Sequence, residues 1–202
     1  MKTIEQGRQA VIVVDYQNDF GKPGAPLYVK GGETLSPLIN SLMRNVKTQS
    51  GLVIATRDWH PDKSVHFDAW PRHCIADTEG ADYVEGFDRS LVDVEIFKGY
   101  KNSDDGYSGF EGVTKLLGNP DDGFGVAPGA KTLHEVLIEN NVKIVKIVGL
   151  ATDFCVKATV LNAVKDFQTI VYEEGIRAVD LKEGDGERSI REMLLNGAKM
   201  VS

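Results

Sequence analysis

Short apolar runs alternate along the chain with longer segments in which apolar residues recur every three or four positions. Runs rich in β-branched residues and bounded by Gly, Asn or Asp predict six strands, over residues 9–15, 52–56, 94–99, 143–149, 169–172 and 198–202. The longer period predicts helices over residues 34–49, 110–117, 130–141, 155–167 and 186–196. Ser36 and Pro37 suit the cap and first turn of the first helix, and Gly51 ends it.

This alternation of strands and helices determines the expected fold class. Parallel strands joined by helices form right-handed crossovers, which cover both faces of the sheet. We therefore expect an α/β protein with a mainly parallel sheet of about six strands and helices on both faces. No repeat, low-complexity tract or linker divides the sequence, so residues 1–202 are expected to form one domain.

The composition is that of an ordinary globular protein, and it narrows the classes of partner. Of the 202 residues, 42% are hydrophobic and 26% are charged, and the net charge of -7 argues against electrostatic binding of nucleic acid. No apolar run reaches the length of a membrane span, and residues 1–9 lack the apolar centre of a secretory leader. Cys74 and Cys155 are expected to be free thiols in a reducing compartment, with the cytoplasm as the expected location.

Four reactive side chains follow or end predicted strands, at the edge where ligands bind in parallel sheets. These residues are Asp15, Asp58, Lys98 and Cys155. Cys155 begins a predicted helix, where unpaired N–H groups and the helix dipole favour a nucleophilic thiolate. Asp15 is then a candidate general base, and Lys98 could lower the pKa of the cysteine. Taken singly, each has a plainer interpretation: a buried structural cysteine, a turn-capping aspartate and a surface lysine.

One short window carries ligands suited to a divalent metal ion. Asp58 and His60 are two positions apart on an extended segment, so their side chains point the same way, and His66 and His73 follow. One carboxylate with two imidazoles leaves coordination positions open for water or substrate, as in catalytic metal sites. The alternative is that three loop histidines lie near one another in sequence by chance. His134, on a predicted helix, is interpreted as a surface residue.

Five motifs resemble, in their order along the chain, those of the nicotinamidase/pyrazinamidase family, a branch of the isochorismatase-like cysteine hydrolases. They are residues 14–20 (VDYQNDF), 56–61 (TRDWHP), 70–74 (WPRHC), 98–99 with 107–110 (KG and YSGF) and 149–156 (GLATDFCV). The aspartate, lysine and cysteine motifs alone indicate the superfamily and its isochorismatase-like fold. The Asp-x-His and Trp-Pro-x-His-Cys motifs narrow the resemblance to nicotinamidases, because relatives acting on other substrates lack the metal site.

The resemblance implies a role for each matching residue. It makes Cys155 the nucleophile, Asp15 the general base and then the acid, and Lys98 the third member of a catalytic triad. It places an oxyanion hole at the backbone N–H groups of Ala151 and Cys155, beside a cis peptide between Leu150 and Ala151. The remaining implied roles are metal ligation by Asp58, His60 and His73, with His66 as a fourth ligand in some members, and substrate contacts by Phe20, Trp70 and Tyr107.

The implied reaction is hydrolysis of nicotinamide to nicotinate and ammonia through a cysteine thioester, with pyrazinamide as a second substrate and NAD salvage as the context. The implied cofactor is one divalent metal ion, with zinc expected before iron or manganese, that binds the ring nitrogen of the substrate. A homo-oligomer is compatible with the resemblance. Three alternatives stay open: another amide or carbamoyl hydrolase, a non-catalytic binding protein, and a metal-bound hydroxide as nucleophile. Residues 118–125 match no family motif and are interpreted as a surface insertion.

Overall fold

The computed structural model of the protein describes residues 7–103 and 106–202. Two predictions extend beyond these ranges. The lack of a leader over residues 1–9 and the single domain over residues 1–202 both include residues 1–6, which lie outside the described residues. Within the described ranges, no helix combines the length and the apolar character needed to cross a lipid bilayer.

Six parallel strands form the central sheet, and two antiparallel strands form a separate hairpin. In chain order the strands are β1 (Arg8–Val14), β2 (Leu52–Asp58), β3 (Val94–Lys98), β4 (Leu116–Asn119), β5 (Gly123–Val126), β6 (Val142–Leu150), β7 (Gln168–Arg177) and β8 (Lys199–Val201). The α-helices are α1 (Asn18–Gly21), α2 (Ser36–Thr48), α3 (Leu133–Glu139), α4 (Lys157–Ala163) and α5 (Asp185–Leu195). The central sheet has the order β3-β2-β1-β6-β7-β8, and all its neighbouring strands are parallel. The predicted α/β class and six-stranded sheet are confirmed.

Alternate residues of β1 enter two different apolar layers, one on each face of the sheet. Ile12 and Val14 join a core cluster with residues of α3, α4 and α5, whereas Val11 and Val13 join a cluster with residues of α2. The side chains of residues 10–14 are all inaccessible to solvent. A central parallel strand that is covered on both faces must be apolar at consecutive positions, which explains the unbroken run in the sequence.

Three of the predicted helices are observed with small shifts of their ends. The first is α2, with Pro37 in its first turn, although its cap is Leu35 rather than Ser36. The helix predicted over residues 130–141 is the shorter α3, which Thr132 caps at its N-terminus. The last predicted helix is α5.

The helix predicted over residues 110–117 is wrong. A single 3-10 turn at Gly109–Glu111 is followed by an extended segment that leads into β4. The backbone of Val113 exchanges two hydrogen bonds with that of Phe97, with N···O distances of 2.8 and 3.0 Å. This pairing draws the segment against the edge strand β3, so a tertiary contact overrides the helical spacing of its apolar residues.

The segment around Cys155 also differs from the prediction of a helix over residues 155–167. Residues Thr152–Val156 form one π-helical turn, and α4 covers only the seven residues that follow. Cys155 therefore lies in the wide turn between β6 and α4 rather than in the first turn of an α-helix. Such turns are frequent at functional sites.

Gly149 lies opposite Val14 in the pairing of β6 with β1. Its φ of 118° is in the range that favours glycine, and a Cβ there would lie 2.0 Å from the carbonyl oxygen of Val14. The lack of a side chain at residue 149 therefore lets β1 and β6 stay paired up to the rim that carries Asp15.

We expect Gly149→Ala to lower the free energy of unfolding by roughly 3 kcal/mol, because it adds a steric clash to an unfavourable φ. Gly197→Ala is the matched control, since Gly197 has a φ of 102° but a Cβ there would meet no other part of the described chain within 4 Å. Its cost should be about 1 kcal/mol. Urea unfolding of the two variants measures the difference, and equal losses would show that the contact with Val14 does not constrain the sheet.

Candidate active site

The carboxyl ends of β3, β2, β1 and β6 lie side by side, and each is followed or ended by one reactive side chain. The Nζ atom of Lys98 is 2.8 Å from an oxygen of Asp15 and 2.5 Å from an oxygen of Asp58. Its distance to the sulfur of Cys155 is 3.5 Å. The four side chains that were predicted to share one rim therefore meet around a single ammonium group.

The ammonium group of Lys98 is fully buried, so its charge is tolerated only through its partners. Besides the two carboxylates, the carbonyl oxygen of Gly106 accepts a hydrogen bond from Nζ at 2.5 Å. Burial alone would lower the pKa of Lys98, but Asp15 and Asp58 outweigh burial and hold the pKa well above its ordinary value. One ammonium and two carboxylates leave the group with a net negative charge, which favours a cation nearby.

Asp15 is held in a left-handed backbone conformation, with a φ of 44°, directly after β1. The hydroxyl of Thr56 donates a hydrogen bond to one oxygen of its carboxylate at 2.6 Å. Burial raises the pKa of Asp15 to about 6, although Lys98 opposes the rise. A carboxylate with this pKa is mostly ionised at neutral pH and can still accept a proton readily.

The thiol of Cys155 does not have the low pKa that its expected place at a helix start suggested. Burial raises the pKa well above its ordinary value, and Lys98 opposes this rise without cancelling it. The charges of Asp15 and Asp58 raise the pKa further. The thiol therefore needs a nearby base to take its proton, and the carboxylate of Asp15 lies within 4.8 Å of the sulfur.

Three buried histidines form a second cluster beside the lysine. The ligand nitrogens of His60, His66 and His73 all lie within 4.8 Å of one another. Asp58 faces this cluster with its second oxygen, Oδ2, which is 3.7 Å from Nε2 of His60 and 3.8 Å from Nε2 of His73. Asp58 thus contacts Lys98 with one oxygen and the histidine cluster with the other. All four residues that the sequence suggested as metal ligands are brought together.

Backbone carbonyl groups orient two of the three histidine rings as metal ligands require. Nδ1 of His60 bonds to the carbonyl oxygen of Gly99 at 2.9 Å, and Nδ1 of His73 to that of Pro71 at 2.7 Å, which leaves both Nε2 atoms as acceptors. Nε2 of His60 is buried and has no hydrogen-bond partner among the described residues. Burial lowers the pKa of His66 to about 4, so this imidazole is neutral at pH 7. Three imidazoles and one carboxylate are a donor set that fits a divalent metal ion.

A cavity of about 310 Å³ opens beside both clusters, and Cys155, His66 and His73 reach its wall. The aromatic side chains of the wall include Phe20, Trp70, Tyr107 and Phe154. The indole N–H of Trp70 donates to the hydroxyl of Tyr107 at 3.0 Å, and the indole packs edge-on against Phe154 at 5.2 Å. The size of the cavity and its flat apolar walls suit a small aromatic ring. All three residues that the sequence suggested for substrate contact lie on this wall.

Two polar residues after β1, Gln17 and Asp19, hold the site together, and their roles were not predicted from the sequence. The side-chain amide of Gln17 donates to the backbone carbonyl of Asp58 at 2.8 Å and accepts from its N–H at 2.8 Å. The carboxylate of Asp19 accepts the N–H of Cys74, which directly follows His73, at 2.7 Å. Three consecutive polar residues at the end of a buried strand were the available signal, because such a run at this rim must find polar partners.

The outer rim of the cavity was also not identified from the sequence. It consists of residues 25–28 together with Val179 and Leu181. The carboxylate of Asp153, in the same turn as Cys155, accepts the N–H groups of Val179 and Asp180 at 3.0 and 2.9 Å. The turn that carries the cysteine therefore also anchors one side of the rim.

Three simpler predictions are confirmed. Both cysteines are free thiols. His134 lies at the surface, where its ring is 3.3 Å from the carboxylate of Asp166. The peptide between Leu150 and Ala151 is cis, as the family resemblance implied.

The chain is similar to one protein family along nearly its whole length. Residues 9–202 match the isochorismatase domain. The chain is 35% identical to the nicotinamidase/pyrazinamidase of Mycobacterium tuberculosis over 165 residues, which cover 78% of this chain and 80% of that protein. The structure of the pyrazinamidase of Pyrococcus horikoshii in complex with zinc is 35% identical, with a TM-score of 0.79 over 96% of this chain and 99% of that one. The structure of PnC1 from L. infantum in complex with nicotinate is 29% identical, with a TM-score of 0.79 over 96% and 92% of the two chains.

We expect Lys98→Met to lower the free energy of unfolding by about 3–5 kcal/mol, because it leaves two buried carboxylates facing each other without a cation. Adding Asp15→Asn should recover part of this loss, since it removes one of the two charges. Lys47→Met is the control, because Lys47 pairs with Asp93 at the surface and should cost less than about 1 kcal/mol. Urea unfolding in the presence of a chelator is measured for the wild type, Lys98→Met, Asp15→Asn, the double variant and Lys47→Met. Strictly additive losses would mean that Lys98 and Asp15 do not interact.

Proposed function

The chain belongs to the isochorismatase family, in its nicotinamidase branch, and we propose that it hydrolyses nicotinamide to nicotinate and ammonia with Cys155 as the nucleophile. One arrangement carries this proposal: the sulfur of Cys155 is 3.5 Å from the ammonium of Lys98 and lines the same cavity as His66 and His73. The nucleophile and the metal ligands face the same aromatic cavity. This arrangement suits an aromatic carboxamide whose amide group lies at the nucleophile and whose ring is held at the metal ligands. NAD salvage is the context that follows from the family.

The cavity wall supports a flat heteroaromatic amide as the substrate. Phe20, Trp70 and Tyr107 are the proposed contacts of the pyridine ring, because they present apolar surface around a space of ring size. The carboxamide then lies against Cys155. Pyrazinamide has the same outline with one more ring nitrogen, so we propose it as a second substrate.

Asp58, His60, His66 and His73 would hold one divalent metal ion, and zinc is the proposed identity. The support is the donor set, the partnerless Nε2 of His60 among the described residues, and the zinc-bound relative. When bound, the ion supplies a Lewis acid that binds the ring nitrogen of the substrate. The net negative charge of Lys98 with its two carboxylates stabilises a cation at this position.

The first chemical step moves a proton from Cys155 to Asp15. Asp15 is suited to accept it, because burial has raised its pKa to about 6. As Asp15 loses its charge, the sulfur gains one, and Lys98 contacts both groups. A single ammonium therefore stabilises the negative charge before and after the transfer.

The thiolate attacks the carboxamide carbon, and the N–H groups of Ala151 and Cys155 are the proposed donors to the oxyanion. Protonated Asp15 returns its proton to the departing amine, so ammonia leaves and a thioester remains on Cys155. Asp15 then accepts a proton from a water molecule that attacks the thioester. Nicotinate is released and the thiol regains its proton, so each cycle consumes one water and releases one ammonia.

The chemistry also bears on where the protein works. A disulfide at Cys155 would remove the nucleophile, and both cysteines are free thiols in the structure. We therefore propose that the protein acts in a reducing compartment, the cytoplasm.

Cys155→Ala should reduce ammonia release from nicotinamide by roughly 10⁴-fold or more, because the covalent step is lost. Cys74→Ala is the matched control, since Cys74 is also a buried thiol but does not line the cavity. The rate of ammonia release by Cys74→Ala should stay within a few-fold of the wild-type rate. If Cys155→Ala keeps substantial turnover, the nucleophile is not the cysteine, and an activated water takes its place. A wild-type protein without activity on nicotinamide or pyrazinamide would contradict the proposed function.

Benzamide should be a poor substrate, with a kcat/KM lower than that of nicotinamide by roughly a thousandfold or more, because it lacks the ring nitrogen but keeps the ring shape and amide. In the His73→Ala variant this preference should shrink, since both changes remove the same contact. The measurement is a cycle of two enzymes and two substrates. If the change of substrate and the His73→Ala substitution lower kcat/KM by independent factors that simply multiply, the histidine cluster does not position the ring.

A further inference from the structure

The β4–β5 hairpin takes no part in the proposed reaction, yet its turn contacts the loop that carries His66. The carbonyl oxygen of Pro120, in this turn, accepts a hydrogen bond from the N–H of Asp62 at 2.9 Å. We propose that the hairpin is a brace for the metal-binding loop, residues 61–69, and that it slows release of the metal ion. This inference rests on the proposed metal site and assigns a role to a segment that matched no family motif.

The three histidines differ in how firmly the backbone holds them. His60 is tied on both sides, because its N–H donates to the carbonyl of Cys74 at 3.0 Å and its carbonyl accepts from Ala76 at 2.9 Å. His73 directly precedes Cys74, whose N–H is bonded to the carboxylate of Asp19. These segments are therefore fixed to each other and to the turn after β1.

The loop that carries His66 has much less support. Apart from a bond from the N–H of the adjacent Trp70 to the carbonyl of His66, two backbone hydrogen bonds connect residues 61–69 to the rest of the described chain. One is the bond from Asp62 to the hairpin turn, and the other runs from the N–H of Val65 to the carbonyl of Asn102 at 2.9 Å. The remaining backbone bonds of the loop close its own 3-10 turn. His66 is thus the ligand most easily moved away.

The hairpin also lies next to Asn102, which forms the second of these hydrogen bonds. Gly123, at the start of β5, lies near Asn102, because a Cβ built on Gly123 would be 3.4 Å from Oδ1 of that residue. Asn102 is the residue whose carbonyl holds Val65. One attachment of the loop is thus made by the hairpin itself, and the other ends on a residue that lies beside the hairpin.

A further set of contacts connects Asp62 to the histidine rings. Its carbonyl accepts from Arg72 at 2.7 Å, and its carboxylate pairs with the same guanidinium. This guanidinium covers the ring of Phe67 at 5.2 Å, and Phe67 packs edge-on against His60 at 5.5 Å and against His73 at 5.8 Å. The ion pair is exposed and stabilises little by itself, so the backbone bond to the hairpin is what positions Asp62.

The shape of the hairpin turn depends on one side chain. Oδ1 of Asn119 accepts the N–H groups of Asp121 and Asp122, both at 3.0 Å. This pattern is an Asx turn, in which the side chain replaces a backbone acceptor. Asn119 lies on the hairpin, outside the cavity, so it can be changed without touching a group that reaches the substrate.

The test measures how fast zinc leaves the loaded protein in the presence of an excess of a chromogenic chelator. In the main variant, Asn-Gly replaces residues 118–124 and joins Leu117 to Gly125, which already pair across the hairpin. In the second variant, Asn119→Ala loosens the turn. Leu117→Ser is the matched control, because Leu117 is 56% exposed on the same hairpin and contributes no bond to the turn.

We expect zinc release to become roughly fivefold faster in the shortened hairpin, the effect of about one hydrogen bond, and faster to a smaller degree in Asn119→Ala. Asn119→Ser keeps an acceptor oxygen and should release zinc more slowly than Asn119→Ala. Leu117→Ser should match the wild type, and all variants should keep one zinc per chain and nearly the same Tm. If the shortened chain does not fold, Asn119→Ala and Asn119→Ser decide the question.

Equal release rates in the wild type and in the folded hairpin variants would overturn the brace while leaving the metal site intact. A wild-type protein that binds no zinc, or that binds it equally well after His73→Ala, would instead refute the proposed metal site. The release rate separates the two failures without reference to turnover.

Discussion

The buried ammonium of Lys98 is the contact on which the rest of the site depends. It stays charged in a place without solvent because Asp15 and Asp58 lie on either side of it. These three residues come from the ends of three adjacent strands, so their distances are set by the register of the sheet. The close pairing of β1 with β6, which Gly149 permits, brings the turn of Cys155 to the same point. An error of one residue in any of these pairings would leave a buried charge without a partner, which costs several kcal/mol.

Asp58 connects the lysine to the histidine cluster, because its two oxygens face different groups. One oxygen pairs with Lys98, and the other faces His60 and His73. A cation among the histidines would draw electron density toward that side and weaken the hold of Asp58 on the ammonium. The ammonium of Lys98 would then interact more strongly with Asp15 and with the sulfur of Cys155. One carboxylate would therefore couple the proposed nucleophile to the proposed metal ion.

The sequence predicted those parts of the structure that depend on local pattern, and it missed those that depend on distant contacts. The strand containing residues 10–14 was recognisable because a doubly covered strand is apolar throughout, and the reactive residues were recognisable because they follow such strands. The segment after Gly109 has helical spacing, but its pairing with Phe97 cannot be read from spacing. The pKa of Cys155 was misjudged for a similar reason, because burial and two carboxylates outweigh the effect of its position in the turn. Gln17 and Asp19 stood in a visible polar run, but their partners lie about forty or more residues away, at Asp58 and Cys74.

The reactive groups occupy one half of the sheet, on β3, β2, β1 and the turn after β6, whereas the segment after β7 contributes only Val179 and Leu181 to the cavity rim. That segment is anchored to Asp153 through backbone N–H groups, which every residue except proline provides. Side chains there can therefore change without loosening the anchor or disturbing the buried charges. Selection, natural or in the laboratory, can alter which ring substituents the cavity admits while the reaction stays the same. In this fold, the residues that carry out the reaction and the rim residues that select the substrate lie on different segments, so the substrate range can evolve while the reaction is conserved.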